Sequence, residues 1–277
     1  MLATLLIVFR EAIEAGLIVG IVLAATQGIA HRNRWVALGI ASGAAGACVV
    51  AVFTGRIAGL FNGSGQELFN AFVLAVAVAM LTWHNVWMAS HGRAMAQDVR
   101  RLGTSVEAGE RPPAALAVVC AAAVLREGSE IALFLYGIAT AGGVTVPGML
   151  AGGALGLLGG AGTSALMYLG LLRIPAHRLF AATSGLITLL AAGLASQAVD
   201  FLQQGGYFEV GTATLWDTSW LLADGSLVGR LMHTLVGYTA QPSAAQLVVY
   251  LLTMASIVGL TRVGRGTPAL ERKAAAG

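Results

Sequence analysis

The feature that most narrows what this chain can fold into is a series of apolar runs, each about 20 residues long, the length at which a helix crosses a bilayer's hydrocarbon core. They fall at about 2–26, 35–54, 68–90, 114–140, 147–172, 179–200 and 245–262, which predicts seven transmembrane helices. Composition agrees: 57% of the 277 residues are hydrophobic and 10% charged, where soluble domains carry about 25% charged residues. Mean hydropathy is +0.79. The 37 glycines suit helices that pack closely through small side chains. The chain is therefore expected to be an all-α integral membrane protein, with one transmembrane domain over residues 1–277. "AGGVTVPG" supplies a turn between the runs on either side of residue 147. The segment from about 201 to 243 carries Glu209, Asp217 and Asp224 and is too polar to span. Within it, "LWDTSWLL" sets two tryptophans beside an aspartate suited to cap a short helix, the mark of an interfacial element. Ser243 and Gln246 have the spacing of a capping box opening the last span.

Basic residues give an orientation. Arg32 and Arg34, then Arg93, Arg100, Arg101 and Arg111, then Arg173 and Arg178, and finally Arg262, Arg265, Arg272 and Lys273 fall in alternate connections. The opposite connections hold Arg56 and Arg230. Lysine and arginine collect on the cytoplasmic side, so the amino end is expected outside and the carboxyl end inside. The net charge of +3 reflects that topology and carries no nucleic-acid footprint. The first run lacks the basic flank of a signal peptide and contains Arg10, Glu11 and Glu14. Cys48 and Cys120 lie inside apolar runs, as small hydrophobes do.

Two stretches break the apolar pattern alike. "LLIVFREAIEAGLIVG" holds Arg10, Glu11 and Glu14, and "AAAVLREGSEIALFLYG" holds Arg126, Glu127 and Glu130. In a helix, glutamates at i and i+3 share a face, and the preceding arginine lies one turn from the second of them. Each ionised residue at the bilayer centre costs about 2.5–3.5 kcal/mol on insertion scales, so six cannot face lipid. They must face one another or a wet cavity. A single Arg–Glu pair can serve only to lock two helices, but two motifs in separate spans point to a pathway.

The first motif lies in span 1 and the second in span 4, which runs the opposite way. That predicts a 3+3 inverted repeat, with unit one at about 1–90, unit two at about 114–200 and the last span added outside it, and a substrate site where the units meet. Four carboxylates and two arginines there suit a hard cation: iron, manganese, magnesium or calcium. Inward glutamates also hold iron in di-iron helical bundles, usually with histidines.

The paired R-E-x-x-E motifs in spans 1 and 4 of a seven-span chain resemble the oxidase-dependent iron permeases, fungal and bacterial. "VFREAIEAGLIVGIVLA" and "VLREGSEIALFLYG" carry the resemblance, and "LWDTSWLLADGSLVGRLMHTLVGYTAQPS" resembles the last outer loop of bacterial members. The resemblance implies a transporter and not an enzyme: a high-affinity permease importing iron, as Fe2+ or Fe3+, across the cytoplasmic membrane. It implies Glu11, Glu14, Glu127 and Glu130 as iron ligands with Arg10 and Arg126 alongside, and a separate outer-side oxidase or iron-delivery protein as partner. Between the motif ends, Ala12 and Ile13 stand where many members carry glycine and a branched residue. The transported iron apart, no permanently bound cofactor is expected.

Other polar residues read more weakly. His84 sits toward the inner end of span 3 with Asn85, and His91 lies two turns on; they suit an exit station or simply a helix end at the interface. Asp200, Glu209, Asp217 and Asp224 lie on the outer side, attracting cations or merely solvated. A proton-coupled carrier, or a carrier of another divalent cation, would use the same glutamates. A haem protein would need paired axial ligands, and four of the five histidines fall at loops or their edges.

Overall fold

The computed structural model describes residues 1–59, 66–141, 145–171 and 176–274. Eight helices account for most of them: α1 (Leu2–Ala25), α2 (Arg32–Gly59), α3 (Gln66–Glu107), α4 (Ala114–Ala141), α5 (Val146–Tyr168), α6 (Ala176–Gln204), α7 (Leu227–Val236) and α8 (Ala244–Ala274). Seven are long and coincide with the apolar runs; α7 is the short one. Five of the long helices, α2, α3, α5, α6 and α8, contain stretches apolar enough to cross a membrane with at most two ionisable residues. The remaining two, α1 and α4, each carry the three ionisable residues of an R-E-x-x-E motif. Large apolar side chains face outward along the bundle, among them Val52, Phe53, Phe72, Leu158 and Leu252, as a lipid-facing surface requires.

Small residues set the closest helix contacts. On α2, a methyl group added at Gly39 or Gly43 would strike the carbonyl oxygens of Ala117 and Ala121 on α4. On α5, one added at Gly156 or Gly160 would strike those of Leu5 and Phe9 on α1. Helices in lipid gain no hydrophobic drive toward each other, so this backbone proximity is the main source of their attraction. α3 packs on α6 and α8, and α1 also touches α4 and α3.

Two apolar clusters form the interior. One gathers Ala3 and Ile7 of α1, Leu74 and Leu81 of α3, Phe134 and Ile138 of α4, and Ile187 to Ala198 of α6. The other gathers Ile18 and Val22 of α1, Val36 of α2, Val99 and Val106 of α3, and Leu116 to Ala123 of α4. The start of α1 and the end of α4 share the first cluster, so these helices are antiparallel. The residues between the clusters, 10–14 on α1, 126–130 on α4 and 84 on α3, lie at one level.

Several boundaries differ from the sequence reading. α3 does not end near residue 90: Met95, Val99, Leu102 and Val106 recur at helical spacing and pack into the second cluster, so the chain carrying Arg100 and Arg101 is helix, not loop. α8 likewise continues beyond the apolar stretch ending at Val263. Asp217 caps a turn and no helix, its Oδ1 accepting from the Ser219 N–H at 2.8 Å. The short helix of that segment starts later, capped by Ser226, whose Oγ accepts from the Gly229 N–H. It ends at Gly237, whose φ of 72° suits glycine and lets it press against Gly193 on α6. The capping box forms as expected: Ser243 N–H donates to Gln246 Oε1 at 2.7 Å, and Gln246 N–H to Ser243 Oγ at 3.2 Å. The "AGGVTVPG" turn falls partly on 142–144, outside the described residues; beyond it Thr145 Oγ1 caps α5. Arg173 also lies outside them.

Candidate metal centre

Four glutamates, two arginines and one histidine meet between the two apolar clusters. The helical repeat puts Arg10 one turn before Glu14, and Arg10 Nε donates to Glu14 Oε1 at 2.8 Å. Arg10 Nη1 lies 3.9 Å from Glu11 Oε1. The second motif repeats the arrangement: Arg126 Nε donates to Glu130 Oε1 at 3.2 Å and lies 3.7 Å from Glu127 Oε1. The environments differ. Arg10 is 1% exposed, whereas the Arg126 side chain is 32% exposed and lies over the Trp87 ring, 4.2 Å from its centroid. Trp87 in turn stacks on His91.

His84 of α3 stands between the motifs. Its Nε2 lies 3.3 Å from Glu14 Oε2 and 3.8 Å from Glu11 Oε2, and its Nδ1 touches Glu130 Oε2. One donor atom each from Glu11, His84, Glu127 and Glu130 fall within 4.8 Å of one another. Glu11, Glu14, His84 and Glu127 are buried. Neither oxygen of Glu11 has a hydrogen-bond partner, nor does Glu127 Oε2. Buried carboxylate oxygens carry a large desolvation cost unless paired, and inward-facing oxygen donors with one imidazole make a chemically sensible cation cage.

The sequence reading brought the four glutamates and two arginines to one place, and they are together. His84, a weaker candidate in the sequence, lies beside them, its Nε2 3.3 Å from Glu14 Oε2. The apolar run ends near residue 90, but α3 runs on to Glu107, so His84 sits well inside the helix. A histidine inside an apolar run, next to Asn85, was the available signal. Asn85 itself turns to α6, donating to Thr188 Oγ1 at 3.1 Å. His91 is exposed and bonded to Ser90, away from the centre.

Asp217 and Asp224 brace the segment between α6 and α8, and Asp200 bonds within α6. Asp217 accepts from Ser219 and from Gln241 Nε2, and these bonds hold its carboxyl below the usual aspartate range. Asp224 accepts from the Ala240 N–H at 2.9 Å, and Asp200 from Gln204 Nε2 at 2.7 Å.

The model of the iron permease FTR1 family matches residues 1–264. The chain is 31% identical over 260 residues to proteins named ferrous iron permease EfeU from Escherichia coli O6:H1 and O157:H7, covering 91% of this chain and 92% of each relative. A Yersinia pestis protein of the same name is 28% identical over 260 residues, covering 91% of this chain and 90% of its own. No solved structure matches.

Proposed function

The chain belongs to the iron permease FTR1 family, a multi-pass membrane transporter and not an enzyme, and from that premise we propose that it is a high-affinity permease importing iron through the centre formed by its two R-E-x-x-E motifs. The observation that carries the reading is the meeting of both motifs at one buried point, with donor atoms of Glu11, Glu127 and Glu130 inside 4.8 Å. Glu14, bonded to Arg10, completes the four glutamates of the centre. Their oxygens suit a hard or borderline cation such as Fe2+. The arginines cannot ligate iron; they orient the carboxylates and offset part of their charge, which keeps binding weak enough for release.

The seven long helices serve as seven spans, arranged as a 3+3 inverted repeat plus α8. The helix pairing supports this. α1 packs on α5 as α2 packs on α4, so exchanging the units maps one pair onto the other. One constant offset relates Met1 to Ala117, Leu5 to Ala121 and Arg10 to Arg126; another relates Gly39 to Gly152 and Gly43 to Gly156. The four glycines meet Met1, Leu5, Ala117 and Ala121 across the two interfaces. In such folds the site lies where the repeats meet, and alternating access moves one unit against the other.

The arginine bias sets the amino end outside and the carboxyl end in the cytoplasm of a cytoplasmic-membrane protein. Iron then enters at the end holding the 201–243 segment, received from a separate oxidase or delivery protein, and leaves past Arg126 and Trp87. Transport of radioactive iron into proteoliposomes, with Fe2+ kept reduced by ascorbate and compared with chelated Fe3+, tests the reading. Saturable uptake of Fe2+ is expected. Uptake of manganese, magnesium or calcium with none of iron would refute iron as the substrate.

A further inference from the structure

The centre is less symmetric than its motifs. Glu11 and Glu127 occupy equivalent positions, and so do Glu14 and Glu130, but among the described residues a single histidine stands between them. That histidine divides the equivalent pair. Its Nε2 faces Glu14, 3.3 and 3.5 Å from the two oxygens. Its Nδ1 touches Glu130 Oε2 on the opposite motif. Glu14 has a strong second partner in Arg10 Nε, at 2.8 Å, and is absent from the set of donors that converge.

We propose that His84 is an iron ligand through Nδ1, completing a set with Glu11, Glu127 and Glu130, and that Glu14 acts by orienting the imidazole. The Nε2–H then donates to Glu14, which Arg10 holds fixed, and the Nδ1 lone pair points at the carboxylate of the opposite motif. Metal-bound histidines commonly give their other N–H to a carboxylate, which fixes tautomer and ring direction. The chain Arg10–Glu14–His84 has that form.

The consequence is selectivity. An all-carboxylate cage suits magnesium and calcium as well as iron, whereas an imidazole favours first-row transition metals. His84 thus biases the centre toward iron over the abundant alkaline-earth ions. The glutamate motifs alone do not supply that bias.

The inference rests on the reading of the centre as an iron site. It is tested by X-ray absorption at the iron edge on the full chain in lipid nanodiscs loaded with Fe2+. Wild-type protein is expected to show outer-shell scattering from one imidazole, lost in His84→Gln and kept in His91→Gln. Glu14→Gln, which keeps an acceptor oxygen, is expected to retain the imidazole shell while iron affinity falls about 10- to 100-fold. In uptake assays, His84→Gln is expected to let calcium and magnesium compete with Fe2+ where they do not in wild type. Glu14→Asp, which preserves the charge, is expected to recover part of the affinity lost in Glu14→Gln. Iron bound through oxygen alone in folded wild-type protein would overturn the histidine assignment and leave the carboxylate site standing. Wild-type protein that binds no iron would overturn both. Should His84→Gln fail to fold, an imidazole shell that survives with His31, His91, His177 and His233 all changed to Gln assigns it to His84, and its loss there would overturn the assignment.

Discussion

Arg10 and Arg126 occupy equivalent motif positions, yet replacing them is expected to have unequal effects. Arg10 lies 2.8 Å from Glu14 and 3.9 Å from Glu11, and is 1% exposed. With an effective dielectric of about 20, those separations correspond to gross attractions of about 6 and 4 kcal/mol. Much of that is offset by the cost of burying the guanidinium. Removing one partner of a buried pair nevertheless strands the other, at a net cost of about 3–5 kcal/mol. Arg10→Met is therefore expected to sharply reduce the folded fraction, since native domains hold only about 5–15 kcal/mol in total. Arg126 keeps 32% of its side chain exposed, so water can take over part of its role. Its ion pair with Glu130, part-buried but reached by water, is worth about 1 kcal/mol, and its stacking on Trp87 about 0.5–1 kcal/mol. Arg126→Met should fold with a loss of about 1–2 kcal/mol. Arg10→Lys restores the charge without the planar fork, and is expected to regain folded protein while transport stays impaired. The assay combines monodisperse yield and thermal unfolding in detergent with iron uptake per folded molecule. Equal stability of Arg10→Met and wild type would refute the assignment of Arg10 as a buried counter-charge.

Three further outcomes follow from the fold. Gly156→Leu drives a side chain into the Leu5 carbonyl and the Phe9 backbone, and is expected to cost at least about 1–3 kcal/mol; Gly162→Ala, at an open site inside α5, should not lower thermal stability and should raise it by up to about 1 kcal/mol. Ser243→Ala removes the cap of α8 and should destabilise the protein by about 1 kcal/mol, read as faster amide exchange in the first turn of that helix. Asp217 has a folded-state pKa below its ordinary 3.8, so its bonds to Ser219 and Gln241 stabilise the turn above that value and are lost as pH falls through the depressed one. Protease resistance of the 211–226 turn should hold at pH 5 and decline only below about pH 4, and Asp217→Asn should remove that pH dependence.

How much of this was legible in the sequence depends on how strongly the bilayer constrains each part. A spanning helix must be apolar for about 20 residues, so the seven long helices were readable from composition alone. Charges inside such runs are expensive, so Arg10, Glu11, Glu14 and their counterparts on α4 announced a shared site. Outside the hydrocarbon that constraint vanishes. The continuation of α3 to Glu107 is polar overall and has the composition of a loop. Its signal was the helical recurrence of Met95, Val99, Leu102 and Val106, which marks a buried stripe without a long apolar run. His84 was found as a residue but not as a member of the centre. Its placement depends on how α3 lies against α1 and α4, a tertiary relation that no local pattern encodes. The asymmetry between Arg10 and Arg126 is of the same kind, because the motifs are equivalent in sequence and only their neighbours differ.

The most direct test of the central assignment is iron uptake per folded molecule in proteoliposomes for Glu127→Gln and Glu130→Gln beside wild type. Glutamine keeps the size and much of the hydrogen bonding of glutamate but lacks the charge that holds the cation. Loss of uptake in both variants, with folded protein still inserted in the membrane, is the expected result. Wild-type uptake per molecule in both, with only their abundance reduced, would contradict it and leave the motifs as structural ion pairs.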